Sequence, residues 1–95
     1  MKSYRISNAA KRDLARIYWY GHQEYSEQQA NLYFQRLISR FEEIARAPFL
    51  YQSVDHIREG YRRSVCGADC IYYRIQGEAV EIMRILGRQD SGSRL

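Results

Sequence analysis

The chain predicts an α+β domain ordered strand, helix, helix, three strands, with a helical hairpin laid on one face of an antiparallel sheet. Two runs repeat apolar residues at steps of three and four and are joined by only a few residues, which gives the hairpin. Three β-rich runs parted by short glycine-bearing separators give the sheet. Ninety-five residues are enough for one such domain with a modest core, and too few for two.

In chain order, Tyr4-Arg5-Ile6-Ser7 reads as a short first strand, with Ser7 or Asn8 placed to cap the helix that follows. From residue 9 to about 25, Ala10, Leu14, Ile17, Tyr18 and Gly21 return to one helical face. Residues 26–47 form the longer helix, with Ala30, Tyr33, Phe34, Leu37, Ile38, Phe41, Ile44 and Ala45 on its stripe. Burying that stripe is worth on the order of 10–20 kcal/mol before conformational entropy is subtracted. Ser26 and Gln29 have capping-box spacing, and Pro48 ends the helix because it has no amide to donate. The join at Glu24-Tyr25-Ser26 is so short that the helices must run antiparallel, stripe against stripe.

Residues 48–60 hold the only proline and no clean period, as suits a loop. The β-rich runs 61–66, 70–75 and 79–86 are separated by Gly67-Ala68-Asp69 and Gln76-Gly77-Glu78, which predicts a meander with three-residue turns. Ile71, Tyr73 and Ile75 alternate with Cys70, Tyr72 and Arg74; Val80, Ile82 and Leu86 alternate with Glu81, Met83 and Ile85. The last run is apolar on both sides and belongs inside the sheet. Residues 87–95 are polar and rich in glycine and serine, a tail expected to be loose.

Thirteen arginines and two lysines against eleven acids give a net charge of +4. Residues 1–56 carry eight basic and six acidic side chains and residues 57–95 seven and five, so no basic arm is set aside for nucleic acid. An acidic protein partner fits such a balance better. The chain lacks an apolar run long enough to span a membrane or to serve as a signal peptide, so a cytoplasmic protein is expected. Cys66 and Cys70 are too few for a disulfide framework and are read as reduced.

Among candidate functional residues, Arg62, Arg63, Arg74 and Arg84 lie in the strands, with Arg58 and Arg88 at the margins. Arg62 and Arg74 are expected to share an exposed face as a cationic patch able to grip phosphate or carboxylate, or else simply to protect the strands from aggregation. Arg84 sits inside the most apolar strand and needs an acid, such as a helix carboxylate, or a partner; Arg84→Ala is expected to harm folding or function more than a surface change would. Trp19 and Tyr20 fall off the first helix's stripe, where they either wrap the core edge or, if exposed, mark a binding surface. His22, His56, Cys66 and Cys70 could be assembled into a metal site only across large sequence separations, and half-buried cysteines flanking a turn explain them better. Asp13 reads as helix-surface charge. No catalytic residues, metal or cofactor are expected: no glycine-flanked serine or phosphate loop occurs, and no histidine lies near the arginines.

Six segments taken in order, A-A-K-R-D-L-A-R-I-Y-W-Y from Ala9, Q-A-N-L-Y-F-Q-R-L from Gln29, E-I-A-R-A-P from Glu43, I-R-E-G-Y-R-R from Ile57, I-Y-Y-R-I from Ile71 and V-E-I-M-R-I-L from Val80, resemble the ParE branch of the RelE/ParE toxins of bacterial toxin–antitoxin modules. The resemblance implies a βααβββ fold, inhibition of DNA gyrase that blocks replication, and neutralisation by a ParD-type antitoxin in a hetero-oligomer. It also implies that the antitoxin's disordered C-terminal segment folds onto the hairpin and sheet. Many relatives follow the last strand's I-L with histidine, where this chain has Gly87.

The alternative within the superfamily is a ribosome-dependent mRNA ribonuclease, which needs a proton acceptor and donor beside cations. After Tyr73 the chain has no lysine, tyrosine or histidine, and arginine does not deprotonate. A third possibility is a module that binds antitoxin without toxicity. Partner contacts are expected at Arg62, Arg63, Arg74, Arg84 and Arg88, with Trp19 and Tyr20 as aromatic anchors toward the antitoxin.

Overall fold

The computed structural model describes residues 3–90 and 95. Its elements are β1 (Ser3–Ile6), α1 (Asn8–Glu24), α2 (Glu27–Arg46), β2 (Gln52–Ser53), β3 (Tyr61–Cys66), β4 (Asp69–Gln76) and β5 (Ala79–Gly87), followed by a 3₁₀ turn at Arg88–Asp90. Both helix starts follow from hydroxyl caps. Ser7 Oγ accepts from the Ala10 amide at 3.0 Å, and Ser26 Oγ accepts from the Gln29 amide at 3.0 Å. Tyr25 and Ser26 alone separate the helices, which pack as the expected antiparallel pair.

The sheet runs β1-β5-β4-β3-β2. It differs from a purely antiparallel meander at both ends. β1 lies parallel to β5, Ser3 opposite Ala79 and Ile6 opposite Ile82, because the two helices supply the long crossover that parallel neighbours require. At the other end the expected loop contributes β2, which pairs Gln52 with Arg63.

The β3–β4 and β4–β5 turns have two residues rather than three, since Cys66 pairs Asp69 and Gln76 pairs Ala79. Such turns need positive φ, and Gly67 (φ 60°) and Gly77 (φ 64°) provide it. Only Gly67 is also crowded: a Cβ there would lie 2.6 Å from Tyr33 Cε1, whereas at Gly77 nothing lies within 4 Å. Gly77→Ala should therefore lower stability by about 1 kcal/mol and Gly67→Ala by about 2–3 kcal/mol in urea titrations. Equal losses would show that the ring makes way freely.

The sheet buries apolar side chains on both faces. Under the helices, Leu14, Ile17, Leu37, Phe41 and Ile44 meet Ile71, Tyr73, Val80, Ile82 and Ile85. On the other face Val54, Tyr61, Cys70, Tyr72 and Leu86 form a second cluster, joined by Ile57, Met83 and Leu95. The irregular segment after β2 thus has a packing role. β5 departs from strict alternation: register shifts between Tyr72 and Tyr73, leaving Met83 unpaired as a bulge. Ile85 consequently joins Ile82 under the helices and Leu86 goes to the far face, the reverse of the expected assignment. Gly87 closes β5 instead of opening a loose tail, and the Arg88 amide donates to the Ala68 carbonyl at 3.1 Å. Of that tail, residues 91–94 lie outside the described residues.

Candidate partner-binding surface

The arginines do not form one patch. Arg62 lies opposite Tyr73 on the helix-side face, where its guanidinium donates to the Tyr51 carbonyl at 2.7 Å and stacks 5.1 Å from the Phe49 ring centroid. Arg74 lies opposite Tyr61 on the other face and holds Glu81 Oε1 through two nitrogens, at 3.0 and 2.9 Å. The expected Arg62–Arg74 patch is therefore corrected. β3 carries an apolar residue on each face, and Tyr61 is claimed by the second core rather than the first. Arg63, half-buried, faces the same way as Arg74, while Arg88 is exposed on the 3₁₀ turn.

Arg84 finds the helix carboxylate its position demands. Its Nε and one terminal nitrogen reach the two oxygens of Asp13 at 2.8 and 3.1 Å, and Asp13 also accepts from the Ile85 amide at 2.9 Å. Asp13 is 4% exposed, which overturns its reading as surface charge. The signal was present: Asp13 follows Ala10 by three and precedes Ile17 by four, so it belongs to the buried stripe. Burial alone would raise its pKa, but the bonds from Arg84 and the Ile85 amide and the charges of Arg84 and Arg16 hold it below the ordinary value. Ser7 and Arg16 work beside it. Ser7 Oγ donates to the Met83 carbonyl at 2.8 Å and Arg16 to the Ile85 carbonyl at 2.9 Å, so the start of α1 is sewn to β5 just past the end of β1.

Trp19 and Tyr20, the aromatic candidates for partner contact, are exposed by 58% and 59%, which rejects the core-edge alternative. Trp19 stands edge-on to Tyr18 at 5.2 Å, and Tyr18 stands edge-on to Phe34 at 6.2 Å, a ladder along the flank of the hairpin. Beside it a groove of about 530 Å³ opens between the hairpin bend and the end of the sheet. Tyr20 and Tyr25 wall one side, Ala30, Tyr33 and Phe34 the other, with Asp69 and Asp90 at the sheet end. Phe49 and Leu50 form a separate exposed apolar pair after α2. Neither the groove nor that pair was anticipated, because both depend on how elements meet rather than on any motif.

The Tyr33 hydroxyl fastens the floor of the groove, 2.7 Å from Asp69 Oδ2 and 2.9 Å from the Cys66 carbonyl, while accepting from the Ala68 amide. Burial, then the bond and charge of Asp69, push its pKa far up. Burial also raises Tyr73 to about 12 and lifts the Cys66 thiol. These perturbed groups move away from neutrality, as befits groups that hold structure rather than carry protons. Cys66 packs under the helices and Cys70 on the far face, so the turn-flanking pair is fully buried rather than half-buried.

The family model described as "ParE toxin of type II toxin-antitoxin system, parDE" matches residues 4–92. Toxin ParE1 of Caulobacter vibrioides is 41% identical over 86 residues, covering 90% of this chain and 88% of that protein. Toxin ParE1 of Mycobacterium tuberculosis is 30% identical over 84 residues, covering 87% and 86%. Among solved structures, one of a chromosomal ParDE system from P. aeruginosa superposes with TM-score 0.81 at 18% identity, covering 92% of this chain and 96% of that one. The toxin–antitoxin complex RelBE2 of M. tuberculosis superposes with TM-score 0.58 at 21% identity, covering 92% and 98%. With the family match running across both helices and all five strands, this chain belongs to the ParE toxins of type II toxin–antitoxin systems.

Proposed function

We propose that the chain poisons DNA gyrase without being an enzyme, acts in the cytoplasm, and is silenced by a ParD-type antitoxin in a hetero-oligomeric complex. The observation that carries this reading is the family match over residues 4–92 together with 41% identity to a ParE1 toxin. Two features of the molecule support the non-enzymatic part. Arg74 and Arg84 are bound to carboxylates, and the perturbed tyrosines and thiol are held in their protonated forms. Neither arrangement supplies a base to take a proton from a 2′-hydroxyl. The exposed Trp19 and Tyr20 favour an antitoxin seated along the hairpin, since Trp and Tyr are frequent binding anchors.

In a supercoiling assay with purified gyrase, the protein at micromolar concentration should abolish most supercoiling, and induction without antitoxin should give filamentous cells with an SOS response. Undiminished supercoiling, or rapid translation arrest with cleaved mRNA, would overturn the gyrase reading. Unaffected growth would make the chain an inert binding module.

A further inference from the structure

We infer that the outward line of α1 takes an acidic segment of the antitoxin, one that carries an apolar side chain about 10 Å beyond its carboxylates. This rests on the reading that an antitoxin covers the hairpin. Ala10, Asp13, Leu14 and Ile17 are the buried side of α1. Away from them, Arg12, Arg16 and Trp19 follow one another at steps of four and three, an exposed row with Lys11 at its flank. Acids on the helix do not balance this row. α1 has only two, and Glu24 stands at its far end. The other, Asp13, is shared by Arg84 at 2.8 Å and Arg16 at 3.5 Å, so those three groups together keep one positive charge. Lys11 and Arg12 form no ion pair among the described residues. On α2, by contrast, Glu27, Glu42 and Glu43 offset Arg36, Arg40 and Arg46. The positive character of the hairpin therefore sits on α1.

Carboxylate and phosphate both suit such cations, but the surroundings favour a peptide. A nucleic-acid backbone runs on past a single helix and would meet the acids of α2, whereas a short acidic segment stays on the row. Trp19 also has a protein-binding character. It is exposed yet held in place, edge-on to Tyr18 at 5.2 Å and 5.4 Å from the His22 ring, so a partner finds the indole already fixed beside its cations. Arg12 and Trp19 are seven residues apart, about 10 Å along the helix, a distance that two turns of a partner helix or three residues of an extended partner cover. Carboxylates would meet Lys11 and Arg12, and an apolar side chain would lie on Trp19.

The test uses the full chain, the cognate antitoxin and two charge-matched variants. Lys11→Glu with Arg12→Glu, and Arg36→Glu with Arg46→Glu, each remove four charges and take the chain from +4 to zero, so general steering falls equally. At low salt the α1 variant should slow association about tenfold more than the α2 variant, and the difference should fade at high salt. Trp19→Ala should leave association nearly unchanged and speed release about tenfold. All five positions are exposed, and melting curves check that the variants stay folded. In ¹⁵N spectra of the unsubstituted chain, the acetylated peptide EAAAEAAL should shift the amides of Arg12, Arg16 and Trp19, while its glutamine counterpart QAAAQAAL should not. Equal slowing by both charge variants, equal shifts from the glutamine peptide, or larger shifts of these amides by a short DNA duplex overturn the inference. Failure of the antitoxin to bind the unsubstituted chain would instead remove the antitoxin reading itself, with the peptide titration still deciding what α1 selects.

Discussion

Asp13→Asn is expected to destabilise the protein by about 3 kcal/mol, lowering the melting temperature by roughly 10–20 °C. The asparagine keeps the shape but replaces a carboxylate that serves Arg84 twice and the Ile85 amide once. Arg84, with a quarter of its side chain exposed, is then left without the charge it was bound to. Arg84→Ala should lose a similar amount by the converse route, stranding a carboxylate at 4% exposure. The double variant should lose clearly less than the sum, because each single change already breaks the same pair. Additive losses would mean the pair contributes little as a pair. The pH dependence has a definite sign. Asp13 titrates lower in the folded chain than its ordinary 3.8, so its contribution is complete above that value and is lost as pH falls from there through the lower folded value. Thermal melts should show the unsubstituted chain losing stability faster on acidification than Asp13→Asn does.

Phe41→Ala should have the largest effect on the helix-side core, about 3–5 kcal/mol, against a total of about 5–14 kcal/mol for a chain of this length. Phe41 is fully buried, stands edge-on to Tyr4 at 5.7 Å, and so ties α2 to the N-terminal strand as well as filling the centre. Deleting the ring leaves a cavity that neighbours on two layers cannot all close. Phe41→Leu, which keeps most of the volume, should lose only about 1 kcal/mol. Urea midpoints would measure both, and near-UV dichroism would show whether the alanine variant keeps its packing. A loss below 1 kcal/mol for alanine would mean that the two layers collapse around the gap.

Much of this was legible in the sequence for physical reasons that differ element by element. The helices were readable because Ser7 and Ser26 cap them and because apolar spacing fixes which side is buried. The interior place of β5 was readable from its apolar content, and the need of Arg84 for an acid from its apolar surroundings. The identity of that acid is legible only when Asp13 is taken as a member of the stripe beginning at Ala10 rather than as a lone charge. The faces of Arg62 and Arg74 are not legible from alternation, which tells two faces apart only when one of them is polar. Here the far face has its own cluster around Tyr72, and the bulge at Met83 exchanges Ile85 and Leu86. The groove was beyond any one-dimensional reading, being assembled from both helices and the far end of the sheet.

The stitching of α1 to β5 also limits how this molecule can be bound. Among the described residues no strand neighbours the rim of β5 past Ile6, yet the Met83 carbonyl and both backbone groups of Ile85 are already occupied by Ser7, Asp13 and Arg16. A foreign extended peptide hoping to lengthen the sheet at Met83 and Ile85 finds those three groups already taken. β-augmentation at these two residues is thus opposed by side chains rather than by bulk.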